Sequence, residues 1–395
     1  MTTLAALGDA IRAEPAADEP RLVYADACAA SDPERGELIA LQCAIAAGSL
    51  ARDAAIAARR RAGELADAHG ARWAGLDGLV ERFELRRGFV ETVAIDAEVF
   101  AARGDELFER APALRRVELT GFVRAVDDDR DVPAAREELV LRAVHAADAP
   151  AMRRVRVLAL GAVHAAVRGP SGTTVPRRDA GTFASVLERF AAAGALATLD
   201  GLALAEPPML LGAFAQARQV AALAELELDQ VNAASLPGLA RWFAPRRLSV
   251  RAAWQIEWAQ LAALARDATE LAWLGDPAAM PVDARARLRR LGVDWSDAAR
   301  DALASDPAFG GLAELAVVAR EDLARVDGDT LRPLAYAAHL QPRVLALDVP
   351  LSSDAIDAIA ASPLARRLEV IDLRGRFSRS NRRTTDGAFA GIVLR

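Results

Sequence analysis

One pattern of apolar and polar positions recurs along most of this chain: apolar-x-x-apolar-x-apolar. It is seen in LRRVEL (114–119), MRRVRV (152–157), LDGLAL (199–204), LAELEL (223–228) and PRRLSV (245–250). It returns in ATELAW (268–273), LRRLGV (288–293), LAELAV (312–317), PRVLAL (342–347) and LEVIDL (368–373). Successive windows lie 38, 47, 24, 22, 23, 20, 24, 30 and 26 residues apart, so seven of the nine intervals fall between 20 and 30. Each window reads as a short strand. Stretches such as FASVLERFAAAG (183–194) and DAIDAIAASP (354–363) read as the helices between them. One strand and one helix cannot bury their apolar faces alone, so the pattern predicts an α/β stack with parallel strands on one side and helices on the other.

The first 70 residues have a different texture. Leu4, Leu7 and Ile11 form one stripe at helical spacing, and Leu38, Leu41 and Ile45 form another. Pro20 and Pro33 suit first helical turns. An Ala- and Arg-rich helix runs from Leu50 to Ala68, with Gly70 as its stop. The reading is four short helices. ERFELRRGFVETVAID (81–96) then alternates as a hairpin broken at RRG. The expected division is therefore a small helical domain over 1–78 and a repeat body over 79–395, interrupted near 121–150 and 165–182. The first interruption is an acidic loop leading into a helix near Pro133. The second contains RGPSGTTVPRRDAG (168–181), which reads as a mobile surface loop.

Composition narrows the chemistry. The chain has 395 residues, 53% of them apolar, but no unbroken apolar run long enough for a membrane span. Its N-terminus carries neither an early positive charge nor a long apolar core, so no signal peptide is expected. The reading is a cytoplasmic protein with no membrane partner, in which Cys28 and Cys43 are reduced core residues. The net charge of −6 argues against a dedicated nucleic-acid binder. There is no lysine: all 49 basic residues are arginine. That excludes Schiff-base chemistry, pyridoxal phosphate attachment and a P-loop lysine.

Few motifs carry chemistry. The four histidines, His69, His145, His164 and His339, lack metal-ligand spacing, although His145 and His164 flank a repeat strand. Asp127, Asp129, Asp131 and Glu138 stand at positions 1, 3, 5 and 12 of a calcium-loop spacing, but Val132 occupies the place of the turn glycine. GPSGTT (169–174) lacks the phosphate-loop lysine. No catalytic residue, metal or cofactor is assigned. Two groups suit partner binding instead. Trp242, Trp254, Trp258 and Trp273 cluster in the middle repeats, where exposed tryptophans make natural hot spots. Arginine pairs fall at matching window positions: Arg115 and Arg116, Arg153 and Arg154, Arg246 and Arg247, Arg289 and Arg290. Stacking would set them on one ridge. A further basic cluster lies at 374–387.

The repeat windows resemble those of leucine-rich repeat proteins over roughly 80–395. The match is degenerate, since Phe122, Val231 and Arg376 stand where that family has Asn or Cys. The resemblance implies an irregular solenoid whose turns close by other means. PRLVYADACAASDPERGELIALQ (20–42) resembles a bacterial repeat-companion domain, which precedes repeat regions. Arg21, Leu22, Tyr24, Ala25 and Asp26 match its first half; Arg35, Gly36, Glu37, Leu41 and Gln42 match its second. Ala27 and Cys28 replace its usual Trp-Leu pair, and RRGFVETV (86–93) is similar to the segment that commonly joins that domain to its repeats. The resemblance implies an architecture, with no activity attached. Arg21, Tyr24, Asp26, Arg35 and Glu37 read as a structural network between two helices. The functional expectation is non-catalytic binding of a protein partner through the repeat surface. The alternatives are an enzyme or enzyme regulator with a site at the domain junction or insertions, and an anion or nucleic-acid binder using the arginine ridge.

Overall fold

The computed structural model describes residues 4–169, 173–205, 210–251, 256–273, 275–318, 326–373 and 392–394. By packing, the chain forms two compact units, Met1–Ser49 with Arg61–Gln230, and Leu50–Arg60 with Val231–Arg395. Both are mixed α/β with mostly parallel strands.

The first unit opens with α1 (Leu4–Ala13), α2 (Glu19–Cys28), α3 (Pro33–Ala47) and the later part of α4 (Arg52–Ala74). Prolines do sit in the first turns of α2 and α3. The Asp32 side chain caps α3 by accepting from Arg35 N at 3.2 Å. The expected stop at Gly70 is overridden. The helix continues to Ala74, because Trp73 is buried against Leu38, Ala62 and Leu65 and donates its Nε1–H to Asp32 at 2.8 Å. Gly70 is instead a point of close approach, where a Cβ would come within 3.1 Å of Leu85.

Strands β1 (Arg82–Arg86) and β2 (Phe89–Asp96) form the expected antiparallel hairpin. Its turn residues Arg87 and Gly88 both have positive φ, 49° and 76°, the mirror-image turn that matches strand twist. After α5 (Ala97–Arg110) come β3 (Arg116–Thr120), β4 (Val123–Val126), α6 (Val132–Asp148), β5 (Val157–Leu160), β6 (His164–Arg168) and β7 (Thr174–Arg178). Next are α7 (Ala180–Ala192), β8 (Gly201–Leu204), α8 (Leu211–Gln216) and β9 (Glu225–Leu228). The main sheet runs β1-β2-β3-β5-β8-β9, parallel from β2 onward.

The structure departs from two further expectations in this unit. The segment 168–181 is not simply a surface loop. Its residues 174–178 are β7, antiparallel to β6, and β6 lies parallel to β4. The two interruptions thus build one small sheet, sealed onto α6 by Val132, Ala135 and Ala165 with Val126 and Val167. The window MRRVRV is also shifted by three residues. Two overlapping frames satisfy the same pattern, and pairing of Val117 with Leu158 and Leu119 with Leu160 selects VRVLAL (155–160). Arg153 and Arg154 therefore lie in a 3-10 turn, off the ridge. Arg154 instead stacks 4.6 Å from the Phe108 ring.

The second unit contains the first residues of α4, then α9 (Leu236–Leu239), β10 (Arg247–Val250), α10 (Trp258–Leu261), β11 (Glu270–Trp273), α11 (Val282–Arg287) and β12 (Arg290–Asp294). It continues with α12 (Asp297–Ser305), β13 (Glu314–Val318), α13 (Gly328–Ala335), β14 (Val344–Asp348), α14 (Ser353–Ala360), β15 (Val370–Leu373) and β16 (Val393–Leu394). Its paired strands are all parallel. Leu248, Leu271, Leu291, Leu315, Leu345 and Ile371 share one row of the register and are all buried. Short polar side chains close turns that follow the strands. Asn232 accepts from Ala234 N, Asp276 from Ala278 N, Ser296 from Ala299 N and Ser352 from Ala355 N.

Candidate binding surface

The conspicuous polar motif at 21–42 converges on the β1–β2 turn. Arg21 is completely buried. Its Nη2 donates to Glu91 Oε1 at 2.7 Å and to Pro15 O at 2.6 Å, and its Nη1 to the Arg86 carbonyl at 3.2 Å. Gly88 N donates to Gln42 Oε1 at 2.6 Å. Arg87 donates to the same Glu91 oxygen at 2.8 Å and to Asp18 at 3.0 Å. Tyr24 packs edge-on to Phe89 at 5.1 Å, and the Arg35 guanidinium lies 5.4 Å from the Tyr24 ring and 5.9 Å from Phe89. A Cβ on Gly88 would run into Ile39.

This network differs from the expected one. Asp26 is exposed and takes no part in it, because it lies on the outer side of α2 while Arg21, Ala25 and Cys28 form the buried stripe. Glu37 also stands apart, held by both Arg61 nitrogens at 2.9 and 2.8 Å, which lowers its carboxyl pKa. Glu91, Arg87, Gln42 and Phe89 are the members that sequence reasoning missed. The signal was RRGFVE itself, a turn carrying two arginines and a glutamate beside an arginine-bearing helix.

One surface with room for a ligand among the described residues is the side of the second unit's sheet opposite the buried leucines. Here a trough of about 350 Å³ crosses the strands from β10 to β15. Arg247, Glu270, Arg290 and Glu314 occupy one row of the register along it. Arg247 donates to Glu270 at 2.7 Å, Arg290 to the same carboxylate at 3.1 Å, and Arg290 also to Glu314. Burial by itself would raise the Glu270 carboxyl, but the hydrogen bonds and charges of Arg247 and Arg290 prevail and hold it below the usual glutamate range. The next row on this side, Ser249, Ala272, Gly292, Ala316 and Ala346, is half-buried and small and floors the trough.

The expected arginine ridge is therefore an alternating ladder. Its glutamates were visible at the matching position of ATELAW and LAELAV. Arg246 and Arg289 are exposed beside it, Arg289 donating to the Gly311 carbonyl at 3.1 Å. Because the folded-state pKa of Glu270 is depressed, its ion pairs stabilise the unit above the unfolded glutamate pKa of about 4.3 and that contribution is lost as pH falls below it. Urea titrations from pH 7 to about 3 are expected to show an acid-side loss of stability that Glu270→Gln reduces.

The corresponding side of the first unit is occupied by its own side chains. Arg116 on β3 reaches over β5 and β8 to Glu227 on β9, with paired bonds of 2.7 and 2.8 Å. Ala159, Gly201 and Ala203 beneath leave the space for that reach. The bond to Glu227, against burial, raises the pKa of Arg116.

The tryptophans separate. Trp273 is 2% exposed, faces the buried side of β11 and donates its Nε1–H to Ile256 O at 2.9 Å, so it is not a surface contact. Trp258 is half-buried and packs edge-on to Trp273 at 5.7 Å. Trp242 is 41% exposed. Trp254 and the basic segment 374–387 lie outside the described residues. In the acidic loop, Asp129 is held by Arg177 at 2.7 and 3.1 Å, Asp127 by Arg168 at 3.4 Å, and Glu138 by Arg124 and Arg142. His145 is exposed while His164 is buried. Among the described residues no three His, Cys, Asp or Glu side chains gather in a metal-holding group. No described helix is long and apolar enough to cross a membrane.

These features define a mixed α/β protein with an open, charge-laddered sheet face. No protein-family model matches the sequence, and no curated protein matches it.

Proposed function

We propose that this protein is a non-catalytic binding scaffold whose protein partner sits in the trough of the second unit. The observation that carries the reading is the trough itself. It is an open groove of about 350 Å³ with a small-residue floor and a half-buried row of charges, on a sheet whose other side is filled by its own core. We read the parallel strands with intervening helices as an irregular leucine-rich-repeat-like stack. Strands begin at the third position of nine of the ten windows, and at that of the tenth once its frame is corrected to 155–160. The N-terminal helices are read as a repeat-companion domain, supported by the convergence of Arg21, Tyr24, Arg35 and Gln42 on the hairpin turn. The alternation of Arg247 and Arg290 with Glu270 and Glu314 supports this reading over the anion-binding alternative.

The test is affinity capture with the full chain and with Ala316→Trp, which fills the floor from a half-buried position on the trough side. The expected result is a co-purifying protein that the variant loses while its circular dichroism and thermal melt match the parent. Equal recovery with the variant refutes the proposal. Ser249→Trp repeats the test at another strand should Ala316→Trp misfold.

A further inference from the structure

We infer that the occupant of the trough is an α-helix of the partner, lying across the strands, with acidic and basic residues alternating along one edge. The inference rests on the reading of the trough as the partner site.

The argument is one of periods. Adjacent strands lie about 4.8 Å apart, so the sign of charge along Arg247, Glu270, Arg290 and Glu314 flips at that interval. A helix rises about 1.5 Å per residue, so side chains three and four apart advance about 4.5 and 6 Å. Alternating those steps keeps a helix edge in phase with the ladder. An extended chain repeats its same-side side chains about every 6.6 Å and drifts out of phase within two strands.

The floor suits the same shape. No side chain in the row from Ser249 to Ala346 is longer than that of serine. Gly292 is already tight, since a Cβ there would come within 3.1 Å of Ala272. The five strands β10 to β14 span about 19 Å, close to 13 helical residues. The row ends in Val344 rather than another charge. The complementary edge therefore reads acid, base, acid, base, apolar, and the apolar end fixes the direction in which the helix lies.

The experiment uses three labelled synthetic peptides of about 16 residues, long enough to cover the ladder. The first carries Glu, Arg, Glu, Arg and Leu at i, i+3, i+7, i+10 and i+14 on an alanine-rich background. The second has the same composition with those residues scattered around the helix. The third is the first with a central proline. Each is titrated with the full chain at low salt by fluorescence anisotropy. The first peptide is expected to bind about tenfold tighter than either control, from several half-exposed ion pairs acting together. It is also expected to lose that advantage with Ala316→Trp and with Glu270→Arg/Glu314→Arg. Equal binding of the first two peptides, equal or tighter binding of the proline peptide, or no binding of the first overturns the helix. The two readings fail separately. If Ala316→Trp still loses the captured partner while the peptides do not discriminate, the trough remains the partner site and only the helix is wrong. If the variant keeps the partner, both fall.

Discussion

Replacing Arg21 by alanine is expected to destabilise the first unit by about 3–5 kcal/mol, the range for breaking a buried ion pair from one side. The guanidinium is fully buried and serves four acceptors: the carbonyls of Pro15, Arg86 and Arg87 and the Glu91 carboxylate. Burial drags its pKa down, and Glu91 counters this. Without Arg21, the turn carbonyls lose their donor and Glu91 is left with Arg87. Lysine cannot replace it, because one ammonium cannot reproduce a planar fork aimed at two sides. Arg21→Lys is therefore expected to recover less than half of the loss. Asp26→Ala is the control. Asp26 belongs to the same sequence motif but is exposed, so its removal should change stability by no more than about 0.5 kcal/mol. Urea unfolding of the three variants decides the matter. An Arg21→Ala cost below about 1 kcal/mol would remove Arg21 from the role assigned to it.

Glu369→Ala is expected to have an effect of similar size on the second unit, about 3–5 kcal/mol. Its side chain is 4% exposed and lies between two arginines. Arg59 Nη2 approaches at 3.0 Å and Arg343 donates from just before β14. Deleting the carboxylate leaves two like charges facing each other with nothing between them. Around it, Arg52 donates to the carbonyls of Leu368 and Ala365, and Arg60 to that of Ile392, so three arginines of α4 tie down the segments just before β15 and β16. Arg59→Ala should cost less, since Arg343 still satisfies Glu369. Glu369→Gln should fall between them. The ordering Ala, Gln, then Arg59→Ala is the measurable signature, read from denaturant midpoints at constant slope. A Glu369→Ala midpoint equal to the parent's would refute it.

Legibility of the fold from sequence depended on what periodicity encodes. Strand positions in the second unit were legible because each window alternates apolar and polar residues under a one-sided burial rule, and a slip of one residue would expose every leucine. The window at 152–157 was misread for the same reason in reverse. In MRRVRVLAL two frames bury equally apolar sets, and only pairing with β3 separates them. Helix starts at Pro20 and Pro33 were legible from local chemistry, whereas the stop of α4 depended on Trp73 reaching Asp32, forty-one residues away. The binding surface was half legible. The arginines of the ladder stood out as pairs, but their partners lie on neighbouring strands 20 to 24 residues away, and a single sequence does not display neighbours across a sheet. Arg21 was singled out, yet its hairpin target was not, because that contact spans 65 to 70 residues.

The arginines of α4 have a consequence for the order in which the second unit can be made. Arg59 and its carboxylate are separated by 310 residues, so the early member of this pairing leaves the ribosome long before its counterpart exists. At about 5–20 residues per second that gap is on the order of half a minute. For that interval Arg52, Arg59 and Arg60 form the start of a helix whose distant acceptors are still unmade, while the strands and helices between them accumulate. The pairing of α4 with Glu369 is thus completed only once the segment just before β15 has been made.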